Sequence, residues 1–336
     1  MKGYDGHNNM SEIGKRDCDL CGSSDASFFV ETEGIDFARG RSFRFARCKS
    51  CGLIYLDNDL SPEELESLDY KEYHVTPASF HRGTFSFVMS LFILMRAGKI
   101  EKMKQKGVIL DVGYGNGGFL KKMLSRGWSC YGIDILPYAI ESTGGKDSIN
   151  IFCGRLNDIK LPVDFFDVVT FWQSFEHMRE PSLSLRRVHD ILKGSGILFI
   201  SVPNVDSFEA RISLAKWFGV QPPLHAYLYS PKTLIGLLEK NGFSVVDLKK
   251  NSVEYNFPLF AQTFFNAMGG ETNLLYNFLR RGKYIEKTNA FLRLYTILLI
   301  VTLLPIVLCG TVVVYFINII CGNGSVIEIF AKKDKR

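Results

Sequence analysis

The sequence predicts an α/β fold: a doubly wound, mostly parallel sheet, preceded by a small cysteine-bearing module and interrupted near its end by an apolar helical insertion. Three observations predict it. From residue 108 onward, short apolar runs alternate with helical patterns, the arrangement of parallel strands joined by crossover helices. The first of these strands runs into a turn with glycine at alternate positions, Gly113, Gly115 and Gly117. Two Cys-x-x-Cys pairs, Cys18 with Cys21 and Cys48 with Cys51, lie ahead of the core.

The elements follow in order. Residues 1–60 form the cysteine module, with Phe-rich alternation between the pairs that suggests short strands. Residues 61–107 form a helical linker or cap. Ser61-Pro62-Glu63-Glu64 opens it with a serine cap, proline at the first helical position and early acids. A second, strongly apolar helix over 85–97 is too short to span a bilayer. The core is 108–252. It has strands at 108–110, 128–133, 149–153, 165–171, 197–202 and 243–248, with helices at 119–125, 181–192 and from Ser230-Pro231 to Asn241-Gly242. Residues 253–323 form the insertion, and 324–336 hold a last core strand, 325–331, and a basic tail.

Composition sets limits. A chain of 336 residues, 46% of them apolar, can bury a large core. The net charge of +5 is mild, and no Lys/Arg block is interleaved with aromatics, so no nucleic-acid partner is expected. The first seventeen residues are polar, without the apolar run of a secretory leader, which places the N-terminal part in the cytosol. In that reducing setting Cys130, Cys153, Cys309 and Cys321 are read as small apolar residues.

The glycine turn lets a ligand lie against bare backbone, and the helix that follows offers free N–H groups to an anionic group. Asp134, at the tip of the next strand, can accept both hydroxyls of a ribose. Residues 113–118 also fit the G-x-G-x-x-G of dinucleotide enzymes. Three features favour another reading. Asp111 precedes the first glycine by two residues. Phe166-Asp167-Val168-Val169 begins the fourth strand and leads to Trp172-Gln173-Ser174-Phe175-Glu176-His177. Leu192-Lys193-Gly194-Ser195-Gly196 leads into a strand ending Val202-Pro203-Asn204.

Taken in order, residues 108–204 resemble class I S-adenosylmethionine (SAM)-dependent methyltransferases, particularly the small-molecule and ubiquinone-type branch. The resemblance implies a Rossmann-like, seven-stranded methyltransferase sheet with SAM as cofactor. Asp111, Gly113, Gly115 and Gly117 match the family's D-x-G-x-G-x-G turn, which holds the methionine part of SAM. Asp134 matches its ribose acid. Asn157 and Asp158 fall near the segment that reads adenine, where Arg155 stands in place of a common acid.

The cysteine pairs, Cys18-Asp19-Leu20-Cys21-Gly22 and Cys48-Lys49-Ser50-Cys51-Gly52, each put two thiolates on a tight turn. Four thiolates suit a closed, structural tetrahedral zinc site of zinc-ribbon type. Two disulfides are the alternative, which a cytosolic setting disfavours. Several bacterial methyltransferases of the resembled type carry a similar module.

Methyl transfer to a hydroxyl needs a proton acceptor, and histidine is the usual one. Of six histidines, His7 lies in the polar tail, His74 and His81 precede the core, and His189 sits among charged residues on a helix. His177 follows the fourth strand and matches a Glu-His pair of the resembled family; its alternative role is to shape the loop. His225, in Pro222-Pro223-Leu224-His225-Ala226-Tyr227, resembles the P-P-x-H segment of related sequences in a region that lines the acceptor pocket. Both are candidate catalytic residues.

Residues 294–320 carry no charge over 27 positions and are flanked by basic clusters on both sides. A single crossing would oppose the positive-inside tendency. The resemblance also implies that the last strand returns to the cytosolic sheet between the fifth and sixth. Pro305 and Gly310, near the middle, are expected to break the segment into an interfacial or re-entrant helical hairpin on the cytoplasmic face of the membrane. A buried insertion or dimer contact is the alternative. The expected function is SAM-dependent O-methylation of a membrane-associated acceptor, lipid-linked, glycan or quinone-like. A nicotinamide-dependent oxidoreductase and a non-catalytic scaffold are the other readings.

Overall fold

A computed structural model describes residues 16–35, 38, 40–57, 84–135, 149–268, 275 and 290–334. The expected helix at 61–83, His7, His74, His81, the basic positions 280–287 and the last two residues lie outside these. Strands β1 (Ala26–Glu33), β2 (Ser42–Cys48) and β3 (Ile54–Leu56) pair antiparallel in order. Their alternation buries Phe43, Phe45, Ile54 and Leu56 in a small core that also takes Trp217. Helix α1 (Thr84–Met103) packs Ala97 and Ile100 on the main sheet and leaves Phe87 and Leu91 exposed.

The main domain then alternates β4 (Val108–Val112), α2 (Gly118–Ser125), β5 (Ser129–Asp134), β6 (Ile149–Cys153), β7 (Phe166–Trp172), α3 (Pro181–Ile191) and β8 (Leu192–Pro203). Short helix α4 (Phe208–Ser213), the two-residue β9 (Tyr227–Leu228), α5 (Pro231–Lys240) and β10 (Phe243–Lys249) follow. Ser230 caps α5 in a reciprocal capping box with Thr233, and Pro231 sits at its first position.

The seven-stranded sheet has the order β10-β11-β8-β7-β4-β5-β6, where β11 is Val326–Lys333. Strands β4 to β8 run parallel, and β11 lies antiparallel to both β8 and β10, pairing Ile329 with Ile200 and with Leu248. This is the mostly parallel sheet expected from the alternating pattern, with its last strand between the fifth and sixth. The central strands are apolar on both faces (Val168, Val169 and Phe171; Leu198, Phe199 and Ile200, all fully buried), as strands covered by helices on both sides must be. Their C-terminal ends share one edge, where α/β sheets take ligands.

Two features depart from the sequence reading. β9 pairs with β3 (Tyr55 with Tyr227, Ile54 with Leu228), so the cysteine module's sheet is completed by a strand of the main domain. The apolar hairpin is not formed. Helix α6 (Val253–Ala267) is followed, after undescribed residues, by one continuous helix, α7 (Ala290–Cys321). Pro305 costs a helix of 32 residues one backbone hydrogen bond, and Gly310 serves a close approach: a Cβ there would come within 3.2 Å of Phe260 on α6. The two residues expected to break the helix are therefore accommodated by packing. α7 commits one stripe to α6, burying Ile300 and Val307 with Ala261 and Phe265.

Candidate active site

The turn after β4 holds Gly113, Gly115 and Gly117 at φ of +77°, +56° and +69°, a region costly for any side chain. A Cβ on Gly113 would lie 2.6 Å from the Ser174 Cβ, so glycine is also required by space. The Gly115 N–H donates to the Asp134 carboxylate at 3.0 Å, and the Ser174 hydroxyl donates to the Val112 carbonyl at 2.6 Å. Adjacent strand ends are thus tied into one cradle.

Asp111 is buried beneath it and accepts a hydrogen bond from the Thr170 hydroxyl at 2.7 Å. Burial pushes its carboxyl up to about 7, outweighing the opposing pull of Thr170 and Arg96. Asn157 and Asp158 lie on the turn after β6. The Asn157 Oδ1 is buried with no hydrogen-bond partner, and Asp158 is exposed. A bare-backbone cradle, a carboxylate at the next strand end and an unsatisfied amide oxygen form a set that could hold SAM. Tyr114 is buried in the core cluster that also holds Phe119 and Leu120.

His177 ends a single 3-10 turn, Phe175–His177, directly after β7. His225 lies on the connection between α4 and β9, far away in sequence. The fold brings the two rings to a centroid separation of 5.1 Å. They meet because the Ala226 N–H donates to the Glu176 carbonyl at 2.8 Å, and Arg179 donates to the Pro223 carbonyl at 2.7 Å. His225 is buried, with its Nδ1 donating to the Gly219 carbonyl at 2.8 Å, which leaves Nε2 as the acceptor. Burial pushes its imidazole down to about 4.

Sequence reasoning passed over Glu176 as a site residue. Its side chain is buried, Oε1 lies 4.0 Å from the His225 Nε2, and Oε2 has no hydrogen-bond partner. Burial pushes this carboxyl up to about 8. The signal available in the sequence was a glutamate set directly between Phe175 and His177. Also unforeseen is Arg96 of α1, which bonds the Glu254 carboxylate and the Tyr255 hydroxyl of α6 and lies 4.9 Å over the ring of Trp172. It fastens α1 and α6 beside the end of β7.

The four cysteines converge as their spacing suggested. Their sulfur atoms all lie within 4.8 Å of one another, with Cys18–Cys51 at 3.5 Å and Cys21–Cys48 at 3.4 Å. These separations are far too long for disulfides and close to the edge of a tetrahedral thiolate site, so the four could hold zinc. The turns are closed by Gly22 and Gly52, whose N–H groups donate to the carbonyls of Cys18 and Cys48 at 2.7 and 2.9 Å.

A sequence model of a methyltransferase domain matches residues 80–248, half of the chain. The ubiquinone biosynthesis O-methyltransferase of Pseudomonas paraeruginosa is 34% identical over 104 residues, which are 29% of this chain and 44% of that protein. Its counterpart from Pseudomonas aeruginosa is 33% identical over the same length and shares. The chain thus spans less than half the length of these curated relatives. Among solved structures, a SAM-dependent methyltransferase from Archaeoglobus fulgidus is 19% identical, covers 74% of this chain and 100% of its own, and superposes with a TM-score of 0.46. With the domain match running from α1 through β10, across the glycine turn and the ordered strands that present it, the chain belongs to the methyltransferase-domain family.

Proposed function

We propose that the protein methylates a hydroxyl oxygen of a small, lipid-linked, glycan or quinone-like acceptor at a membrane surface. One observation carries this reading: the cofactor cradle and the Glu176, His177 and His225 group lie side by side at the same end of β7, linked through Ser174. Asp111, Gly113, Gly115, Gly117 and Asp134 hold the cofactor, with Asn157 and Asp158 toward its adenine. Bound SAM supplies an activated methyl group for in-line displacement by the acceptor oxygen. The chain's own contribution is to position that oxygen and take its proton. His225 is the first candidate, because the Gly219 carbonyl fixes its tautomer with Nε2 free to accept. Glu176 lies 4.0 Å from that nitrogen. His177 is the second. The names of the Pseudomonas relatives support an oxygen acceptor of quinone type.

Cys18, Cys21, Cys48 and Cys51 hold a structural zinc whose shell is complete, so zinc there takes no part in the chemistry. The membrane side of the proposal rests on exposed apolar surface. Val301, Val312, Phe316 and Ile320 on α7, and Phe87 on α1, are each more than half exposed. Such faces suit the headgroup boundary of a bilayer.

Calorimetry tests the central reading. SAM and its demethylated product should bind in the micromolar range, NAD should not, and Asp134→Ala should weaken SAM at least tenfold through the loss of charge-assisted hydrogen bonds. Tight NAD binding would overturn the assignment.

A further inference from the structure

The group on the acceptor side contains donors that need a partner the protein does not supply. Glu176 is 1% exposed, and its Oε2 is buried without a hydrogen bond. An ionised carboxylate so placed is costly unless a proton or a cation neutralises it. Imidazole nitrogens of His177 and His225 lie within 4.8 Å of its carboxylate, and the buried Tyr229 and Tyr255 phenols lie close enough to feel its charge. The His225 Nδ1 is committed to the Gly219 carbonyl, so Nε2 presents its lone pair to Glu176 Oε1 across 4.0 Å. Two acceptors facing each other across that gap attract only if a positive centre lies between them. One ligand atom each from Glu176, His177 and His225 lie within 4.8 Å of one another.

We propose that Glu176, His177 and His225 together bind one first-row divalent cation beside the methyl-transfer site. Two imidazole nitrogens and one carboxylate oxygen are the donor set of open, three-ligand zinc and iron(II) sites. Donors about 2.1 Å from such an ion and set at roughly 90–110° lie about 3–3.5 Å apart, so binding asks the pair at 4.0 Å to close by about 0.5–1 Å and a pair at the 4.8 Å limit by about 1.3–1.8 Å. The backbone prepares the closure, since the Ala226 N–H to Glu176 carbonyl bond at 2.8 Å pins the two ligand-bearing segments together. The His225 Nδ1 to carbonyl bond is the second contact that orients metal-binding histidines.

Three protein ligands leave coordination positions open. The ion would take an acceptor bearing one oxygen donor or two adjacent ones and would acidify the bound hydroxyl, with His225 serving as ligand in place of base. That last role rests on the hydroxyl-acceptor reading; the cation site itself does not.

The test is a metal count with a spectroscopic handle. The full chain, stripped with a chelator and reconstituted with Co2+, should take up two equivalents per chain. One should show the intense thiolate charge-transfer bands of the four-cysteine centre and one should lack them. Glu176→Gln and His177→Gln should each weaken uptake of the second equivalent at least tenfold while leaving the thiolate bands unchanged, which also reports that the variants are folded. A wild-type chain that binds one equivalent only, or a Glu176→Gln chain that keeps both, would overturn the site. Calorimetry with SAM on the same samples separates this failure from failure of the methyltransferase reading, because the cofactor cradle contains none of the three residues.

Discussion

Gly113 has no Cβ for two reasons that act together. Its φ of +77° is strained for any L side chain, and the space a methyl would need is occupied by Ser174 at 2.6 Å. Ser174 cannot withdraw, because its hydroxyl holds the Val112 carbonyl at 2.6 Å and its neighbours carry the Glu176–His177 turn. Gly113→Ala should therefore lower stability by about 1–3 kcal/mol and lower SAM affinity as well, read by thermal unfolding and calorimetry. A variant with wild-type melting temperature and wild-type SAM binding would show that the cradle is looser than this packing implies. The requirement for glycine was legible from the alternating spacing. That Ser174 enforces it was not, since the two residues belong to different strands.

Among the elements, α7 shows how composition can suggest the right surface and the wrong path. A charge-free stretch with proline and glycine near its middle reads as two short helices. It is one helix because α6 offers Phe260, Ala261 and Phe265 along its length, and packing outweighs one missing hydrogen bond. The opposite face keeps Val312, Phe316 and Ile320 exposed. Burying each of these in a bilayer interface is worth about 1.5–3 kcal/mol. A triple substitution of the three by aspartate should abolish co-sedimentation with anionic phospholipid vesicles and leave the melting temperature within a few degrees of wild type. Equal co-sedimentation of wild type and triple variant would remove α7 from any membrane contact.

At the scale of the whole molecule, the cysteine module is built into the main domain. β3 pairs with β9, the Leu56 N–H donates to the Ala226 carbonyl at 2.9 Å, and the Ile35 N–H donates to the Pro222 carbonyl at 2.9 Å. The first knuckle is also attached, with Asp19 accepting from the Ser182 N–H at 2.9 Å. The segment carrying His225 is thus held by a sheet that the four thiolates close at its far end. Removing zinc should unfold the module and speed amide exchange across residues 222–228 at least tenfold. SAM affinity, set by the glycine turn after β4, should change less than threefold. Unchanged exchange at 222–228 after chelation would mean that the main domain holds this segment alone.

The sequence by itself determined what depends on neighbours along the chain. The glycine turn, the paired cysteine knuckles, the capped start of α5 and the order of the buried strands all follow from local chemistry and short-range periodicity. Tertiary structure decided what depends on partners distant in sequence. It paired Tyr227–Leu228 with β3, although two residues carry no period to read. It kept α7 whole against the preference of Pro305, and it set Glu176 against His225 across 4.0 Å. The physical reason is common to all three. Propensity and spacing act within a few residues, whereas the energy of pairing an edge, filling a groove or facing two buried polar groups is realised only when the chain has brought the partners together.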